Sequence, residues 1–392
     1  MSEYTRRQLL GRGAAAGSVL TLPGLLAACG GGGGGIKAAT STSKTTAVKR
    51  QLASTLNFSN WPLYIDVNEK TKKHPTLDAF TKKTGVKVRY VEDINDNDQY
   101  FGKIQGPLSK GQGIGKDIIV LTDSSDIPGR MIKLGWVEKL DKQSIPNIKN
   151  LQPALAHPSF DQNREYSLPW QSGMTGIGYD PDKVGGELTS IDRLLTDKKL
   201  KGKVTMLSLM SDSVGVVLLE NGDDPVKPTK AAFDKALARL QKAVDSGQIR
   251  QFTGNDYAPL LAKGDVWAAL AWSGDMVQLQ ADHPKLKWNL PETGGMIWTD
   301  NMLIPTGGNV YTASVYMNYY YEPKVAAAVE DYVNYICPVK GADKVLVKTN
   351  PEVAKNPLIF PTKAMLDNVH IMGADALADP AFKKKFAALI GA

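Results

Sequence analysis

Cysteine is scarce in this 392-residue chain, with only Cys29 and Cys337 present. Histidine is scarce too: His74, His157, His283 and His370 are the whole set. The first three each precede a proline, which marks loop positions. No two histidines have helical metal-ligand spacing, and no Cys/His cluster exists to hold a zinc. The chain has no Gly-Lys-Ser/Thr phosphate loop and no Gly-x-Ser-x-Gly nucleophile elbow. "GQGIGKD" at 111–117 has dinucleotide-loop glycines but precedes the apolar run "DIIVLT" instead of following a strand, so it is rejected. There is no long basic block; "TKKHP", "TKKTG" and "FKKKF" read as solvated faces, which argues against nucleic-acid binding. These absences leave no cofactor, no metal and no recognisable catalytic set. An extracellular hydrolase of unfamiliar type remains as a distant alternative.

The one apolar stretch of note, "AAAGSVLTLPGLLAA", is about half the length of a membrane-crossing helix and contains Gly17, Pro23 and Gly24. A charged start, a short apolar middle and small residues at its end describe an export signal over 1–28. Arg6-Arg7 in "TRRQLL" resembles the twin-arginine signal, and "LAAC" resembles a bacterial lipobox. The resemblance implies cleavage before Cys29 and a lipid on its thiol; the alternative is an ordinary secretory signal with an incidental cysteine. With Cys29 so used, Cys337 has no partner for an intramolecular disulfide, and stability must come from the core. The Gly/Ser/Thr-rich segment after Cys29, to about residue 54, has too little apolar surface to offset its ordering entropy. Some 20 residues of such a tether reach roughly 25 Å. Removing residues 1–28 takes away three arginines and one glutamate, so the net charge falls from +7 to +5.

The rest reads as α/β and is long enough for two domains. "STLNFSNW" and "VKVRYVED" are strand-like, and "KDIIVLT" is a continuous apolar run typical of a strand buried on both faces. "HPTLDAFTKKTG" reads as a helix closed by Gly85, and "DNDQYFGKIQGPLSKG" as a helix that Pro107 must bend or break. Strands alternating with helices argue a parallel sheet. A second set begins at "YSLPWQSGMTGIGYD" and continues through "KVTMLSL", "AAFDKALARLQKAVDSG" and "YAPLLAKGD". Two such lobes leave a cleft, a common place for a ligand.

From about residue 56 to 365 the chain resembles the solute-binding proteins of bacterial ABC importers, in particular the spermidine/putrescine-binding type. The residues that carry the resemblance are "NFSNWPLYID", "AFTKKTGVKVRYVED", "GWVEKLDK", "PWQSGMTGIGYD", "GDVWAALAWSGD" and "GGMIWTDNMLIP", in that order. The resemblance implies a two-lobed type II periplasmic-binding-protein fold, with hinge segments crossing between the lobes. Lobe 1 is expected from 55–164 plus about 275–308, and lobe 2 from 165–274 plus about 309–392. It also implies a monomer anchored outside the cytoplasmic membrane that hands an unaltered ligand to a permease. Binding of another solute, or sensing without transport, shares this fold and stays open.

An amine with charged ends calls for aromatic faces along its chain and carboxylates at its ends. The resemblance places Trp61, Tyr64, Trp272, Asp275 and Asp300 in the cleft, with Ser124, Asp212 and Tyr335 joining them. Trp61 and Tyr64 are expected on one wall and Asp212 on the other, closing around the ligand. Trp136, Trp267 and Trp288 are assigned to the core. Two positions depart from the pattern. Ser124 and Ser125 stand where relatives often have an aromatic residue, and Leu209 stands where they often have an acid.

Overall fold

The computed structural model describes residues 50–94 and 97–391. The export signal, Cys29 and most of the expected tether lie outside the described residues.

The first half follows the expected alternation. Strand β1 (Thr55–Asn60) leads to the helix Pro75–Thr84, β2 (Lys87–Glu92), the helix Asn97–Ser109 and β3 (Ile118–Thr122). Pro75 starts its helix, where the missing N–H costs nothing, and Gly85 ends it at φ 76° with its N–H on the Thr81 carbonyl. Leu77 and Phe80 form the buried face, and the Phe80 ring meets Tyr316 and Tyr319 at 5.1 and 5.2 Å. Pro107 lies inside its helix without breaking it, and the helix ends two residues later. All five residues of β3 are buried, as its unbroken apolar run predicts.

Next come β4 (Ser167–Tyr179), β5 (Val204–Leu207), β6 (Ile249–Thr253), β7 (Ala268–Trp272), β8 (Lys287–Asn289), β9 (Gly295–Leu303) and β10 (Val369–His370). The main sheet order is β2-β1-β3-β9-β4-β7-β5-β6. β1 pairs in parallel with β2 and β3, and β5 pairs in parallel with β6 and β7. Between these parallel sets, β4 and β9 run antiparallel to each other and to their outer neighbours. The two long central strands thus tie a first lobe to a second. A bulge at Trp170 shifts their register between Pro169 and Gln171. A third segment runs beside them, where Ile336 and Ser172 exchange both backbone hydrogen bonds, at 2.7 and 3.0 Å.

The hydrophobic clusters correct the expected lobe boundaries. Tyr316, Tyr320, Val329 and Leu346, from helices after residue 309, pack with Phe58, Val120 and Trp170 of the first lobe. Met276, Leu279 and Trp288, expected in the first lobe, pack with Met206, Phe233 and Leu270 of the second. The cause is β9, which returns the chain to the first lobe through its pairing with β3, so the following helices cover that half. The chain stays with the first core through Leu346 and recrosses near residue 358, after which Phe382 and Phe386 join the second core with Leu358. Trp136 and Trp288 are buried in clusters and Trp267 packs against one, as assigned. Among the described residues no helix is long and apolar enough to cross a membrane.

Candidate functional site

A cavity of about 360 Å³ opens between the lobes. Its walls are the carboxyl ends of parallel strands, where an open α/β sheet places its ligands. The first lobe contributes Trp61 to Tyr64 after β1, with Thr122 and Ser124 at and after the end of β3. The second contributes Ser208 and Leu209 after β5, Gly254 and Asn255 after β6, and Trp272 and Asp275 at and after the end of β7. The crossing strand β9 supplies Trp298 and Asp300, and the segment that bridges to β4 at Ile336 supplies Tyr335. No described lining residue is basic.

Seven of the eight side chains singled out from the sequence converge here: Trp61, Tyr64, Ser124, Trp272, Asp275, Asp300 and Tyr335. Asp212 does not line the cavity, which corrects its expected place on the ligand-facing wall. It is 1% exposed and lies behind Trp272, accepting from the indole Nε1 at 3.1 Å and from Thr175 Oγ1 at 2.9 Å. Its helix, Met210–Glu220, turns the first-turn carboxylate inward, so Asp212 fixes a ring instead of meeting a ligand. Burial pushes its carboxyl up to about 6, and the two hydrogen bonds pull it back only in part.

The two acids that do line the cavity are each held by a tyrosine. Tyr64 donates its hydroxyl to Asp300 Oδ2 at 2.7 Å, and Tyr335 donates to Asp275 Oδ1 at 2.6 Å. Asp275 Oδ2 also accepts from Asn255 at 2.8 Å and from Tyr257 at 2.9 Å. Burial pushes Asp300 up to about 7 against the Tyr64 bond, and the neighbouring Asp123 charge adds to the rise. Asp123 has its own carboxyl tucked against the Thr299 N–H at 2.7 Å, and burial raises it to about 6.

Aromatic rings connect the two acids. Tyr64 meets Tyr335 edge-on at 5.5 Å, Tyr335 meets Trp298 at 5.6 Å, and Trp298 meets Trp272 at 6.1 Å. Trp61 is fixed by its Nε1 donating to the Val120 carbonyl at 3.1 Å. Two glycines let rings lie flat on backbone. A Cβ on Gly173 would stand 2.4 Å from Trp298, and one on Gly274 would stand 2.5 Å from Tyr335. At one edge of the lobes, Lys383 from the second pairs with Asp126 from the first.

Sequence reasoning missed Trp298, Asn97, Asn255 and the supporting Tyr257. Trp298 carried a signal: it lies two residues before Asp300 on one strand, and alternate strand residues share a face. Asn255 and Tyr257 carried none, because their role depends on where β6 places its exit loop beside the helix Ser273–Asp282.

The arrangement is an aromatic box with two embedded carboxylates and no counter-cation among its described lining. Such a site suits a flexible apolar chain carrying ammonium groups. Comparison with known proteins agrees in kind. The family model for bacterial extracellular solute-binding proteins matches residues 76–362. The chain is 30% identical over 326 residues to the putrescine-binding periplasmic protein PotF of Escherichia coli, covering 78% of this chain and 83% of that one. It is 26% identical over 323 residues to the spermidine/putrescine-binding periplasmic protein 1 of Haemophilus influenzae, covering 82% and 87%. Among solved structures, a putative spermidine/putrescine ABC transporter protein from Listeria monocytogenes superposes with a TM-score of 0.72 at 25% identity, over 86% of this chain and 98% of that one.

Proposed function

The chain belongs to the bacterial extracellular solute-binding protein family, and from that premise we propose that it captures a small polyamine for an ABC permease. One observation carries the reading: Asp275 and Asp300 lie within an aromatic cavity between two lobes whose described lining includes no basic residue. A ligand's ammonium groups would meet these carboxylates, while Trp61, Trp272 and Trp298 would cover its methylene chain.

The mechanism is hinge closure. Trp61 and Tyr64 belong to the first lobe and Trp272 and Asp275 to the second, so a ligand touching both favours the closed arrangement. Three crossing segments restrict the motion to rotation about the hinge. No bond of the ligand is made or broken, and the permease reads the closed shape.

The "LAAC" sequence and the arginine pair support export and lipid attachment at Cys29, which would keep the body beside its permease as a monomer on a tether. A purified sample screened by thermal shift against amines, amino acids, sugars and short peptides tests the reading. Putrescine or spermidine should raise the melting temperature, because a ligand at a hundred times its Kd adds about 2.7 kcal/mol to the folded state. A response to another class alone, with silence for every amine, would remove the polyamine assignment and leave the capture mechanism.

A further inference from the structure

Behind the cavity lies an acid that ligand capture does not use. Glu330, on the helix Pro323–Val333, is fully buried, and neither of its carboxyl oxygens has a hydrogen-bond partner among the described residues. The Gln171 side chain, the Tyr335 backbone and the Cys337 thiol face it. Gln171 precedes Ser172 and Tyr335 precedes Ile336, the two residues that exchange backbone hydrogen bonds. Glu330 therefore sits where β4 meets the segment that presents Tyr335.

Donor and acceptor roles fix the Gln171 amide. Tyr320 donates its hydroxyl to the Trp170 carbonyl at 2.5 Å, so its oxygen is left to accept, and Gln171 Nε2 donates to it at 3.2 Å. Gln171 Oε1 has no partner among the described residues. An ionised Glu330 would set acceptor against acceptor there and bury an unpaired charge. A protonated one has the donor that Gln171 Oε1 lacks. Burial pushes the Glu330 carboxyl well above the usual carboxylate range, against the pull of its neighbours. The titratable groups about it are Tyr320 and Cys337, with Tyr321 beyond the first and Asp343 beyond the second, and none is basic.

Both tyrosines that hold the cavity acids adjoin this junction. Trp170 precedes Gln171 and donates its indole N–H to the Tyr64 carbonyl at 3.0 Å, and Tyr64 holds Asp300. Tyr335 holds Asp275. We propose that Glu330 is a positioning residue: it donates its carboxyl proton to Gln171 Oε1 and so fixes the junction of β4 with residues 335–337, from which Tyr64 and Tyr335 take their places. The role belongs to the wall of the cavity and holds for any ligand that fills it.

Glu330→Gln keeps a donor and cannot ionise, whereas Glu330→Leu has no polar group. Hydrogen exchange at the Ser172 and Ile336 amides should stay near the parent's rate in Glu330→Gln and run about tenfold faster in Glu330→Leu. Putrescine affinity, by calorimetry, should change less than about threefold in the first and fall about tenfold in the second. Glu330 ionises near 4.5 when unfolded but keeps its proton when folded, so the stability it brings is whole below about 4.5 and is lost as pH rises. Glu330→Gln has no such loss, and its melting temperature should gain on the parent's from about pH 5 to 8. Parent-like exchange or affinity in folded Glu330→Leu, exchange in Glu330→Gln as fast as in Glu330→Leu, or a melting difference that does not grow with pH overturns the inference. Should Glu330→Leu not fold, the exchange and melting of Glu330→Gln decide it. Failure of putrescine to bind the parent counts against the amine reading alone, and exchange and melting still decide this inference.

Discussion

The two walls of the cleft hold their acids differently. In the second lobe, Asp275 opens a helix and accepts three side-chain hydrogen bonds, from Asn255, Tyr257 and Tyr335. On the hinge strand, Asp300 accepts from Tyr64, and burial beside Asp123 raises its carboxyl to about 7. Three donors surround Asp275, whereas burial favours the protonated form of Asp300. Two acids of like residue type thus sit in different surroundings, and the difference is set by neighbours alone.

On the amine reading proposed above, the largest effect should come from replacing Asp275. Asp275→Ala takes away one partner of a buried ion pair, a loss of about 2–5 kcal/mol, or roughly 30-fold or more in Kd. It also orphans three donors, so the empty protein should melt lower. Asp275→Asn separates the two losses: it can keep some of the hydrogen bonds but should still bind amines weakly. Retained affinity in a folded Asp275→Asn variant, read by calorimetry, would erase the contrast between the walls.

Asp300 should show itself through pH. Its carboxyl is raised from the ordinary 3.8 to about 7 in the folded protein. The stability this brings is present below about 4 and is lost as pH rises through about 7. At 1.36 kcal/mol per pKa unit the loss is at most about 4 kcal/mol. Amine binding runs the other way, since the ammonium needs the carboxylate: affinity should climb as pH rises toward 7 and level off above it. Asp300→Asn should bind about tenfold more weakly at pH 8, lose most of that pH dependence, and melt higher than the parent when empty. An unchanged pH profile in the variant would assign the titration to another group.

A smaller effect is expected where a ring is supported by a missing side chain. Gly274→Ala places a Cβ 2.5 Å from Tyr335 and should tilt the ring that holds Asp275, weakening binding about tenfold with the fold retained. Gly102→Ala, at a helix position with open space around it, is the control that should leave affinity unchanged.

What could be read from the sequence followed the range of the interactions. The helix Pro75–Thr84 and strand β3 were legible because their proline, glycine and apolar run act locally. The lobe membership of residues after 309 was not, because it depends on β9 pairing with β3, nearly two hundred residues away in the chain. Within the site, Trp61, Tyr64, Trp272, Asp275 and Asp300 stood out through their motifs. Tyr257 did not, since only the packing of its loop against Asp275 gives it a role.

Asp212 gives the finest division between acids that meet the ligand and acids that support the wall. Sequence reasoning placed it with the former, and its bonds to Thr175 and Trp272 place it with the latter. Asp212→Asn removes the charge and keeps one oxygen that can accept from the Trp272 indole, while its NH2 takes the place of the oxygen to which Thr175 donates. Amine affinity should therefore change by about threefold or less, within what a single retained hydrogen bond allows. Burial raises this carboxyl to about 6, so its stabilising contribution is lost as pH rises from about 4 through 6, and the variant should melt higher than the parent at pH 8. A drop in affinity as large as that of Asp275→Asn would mean that the charge of Asp212 reaches the ligand through the indole. The cleft would then hold three working acids, and its second wall would be the more anionic of the two.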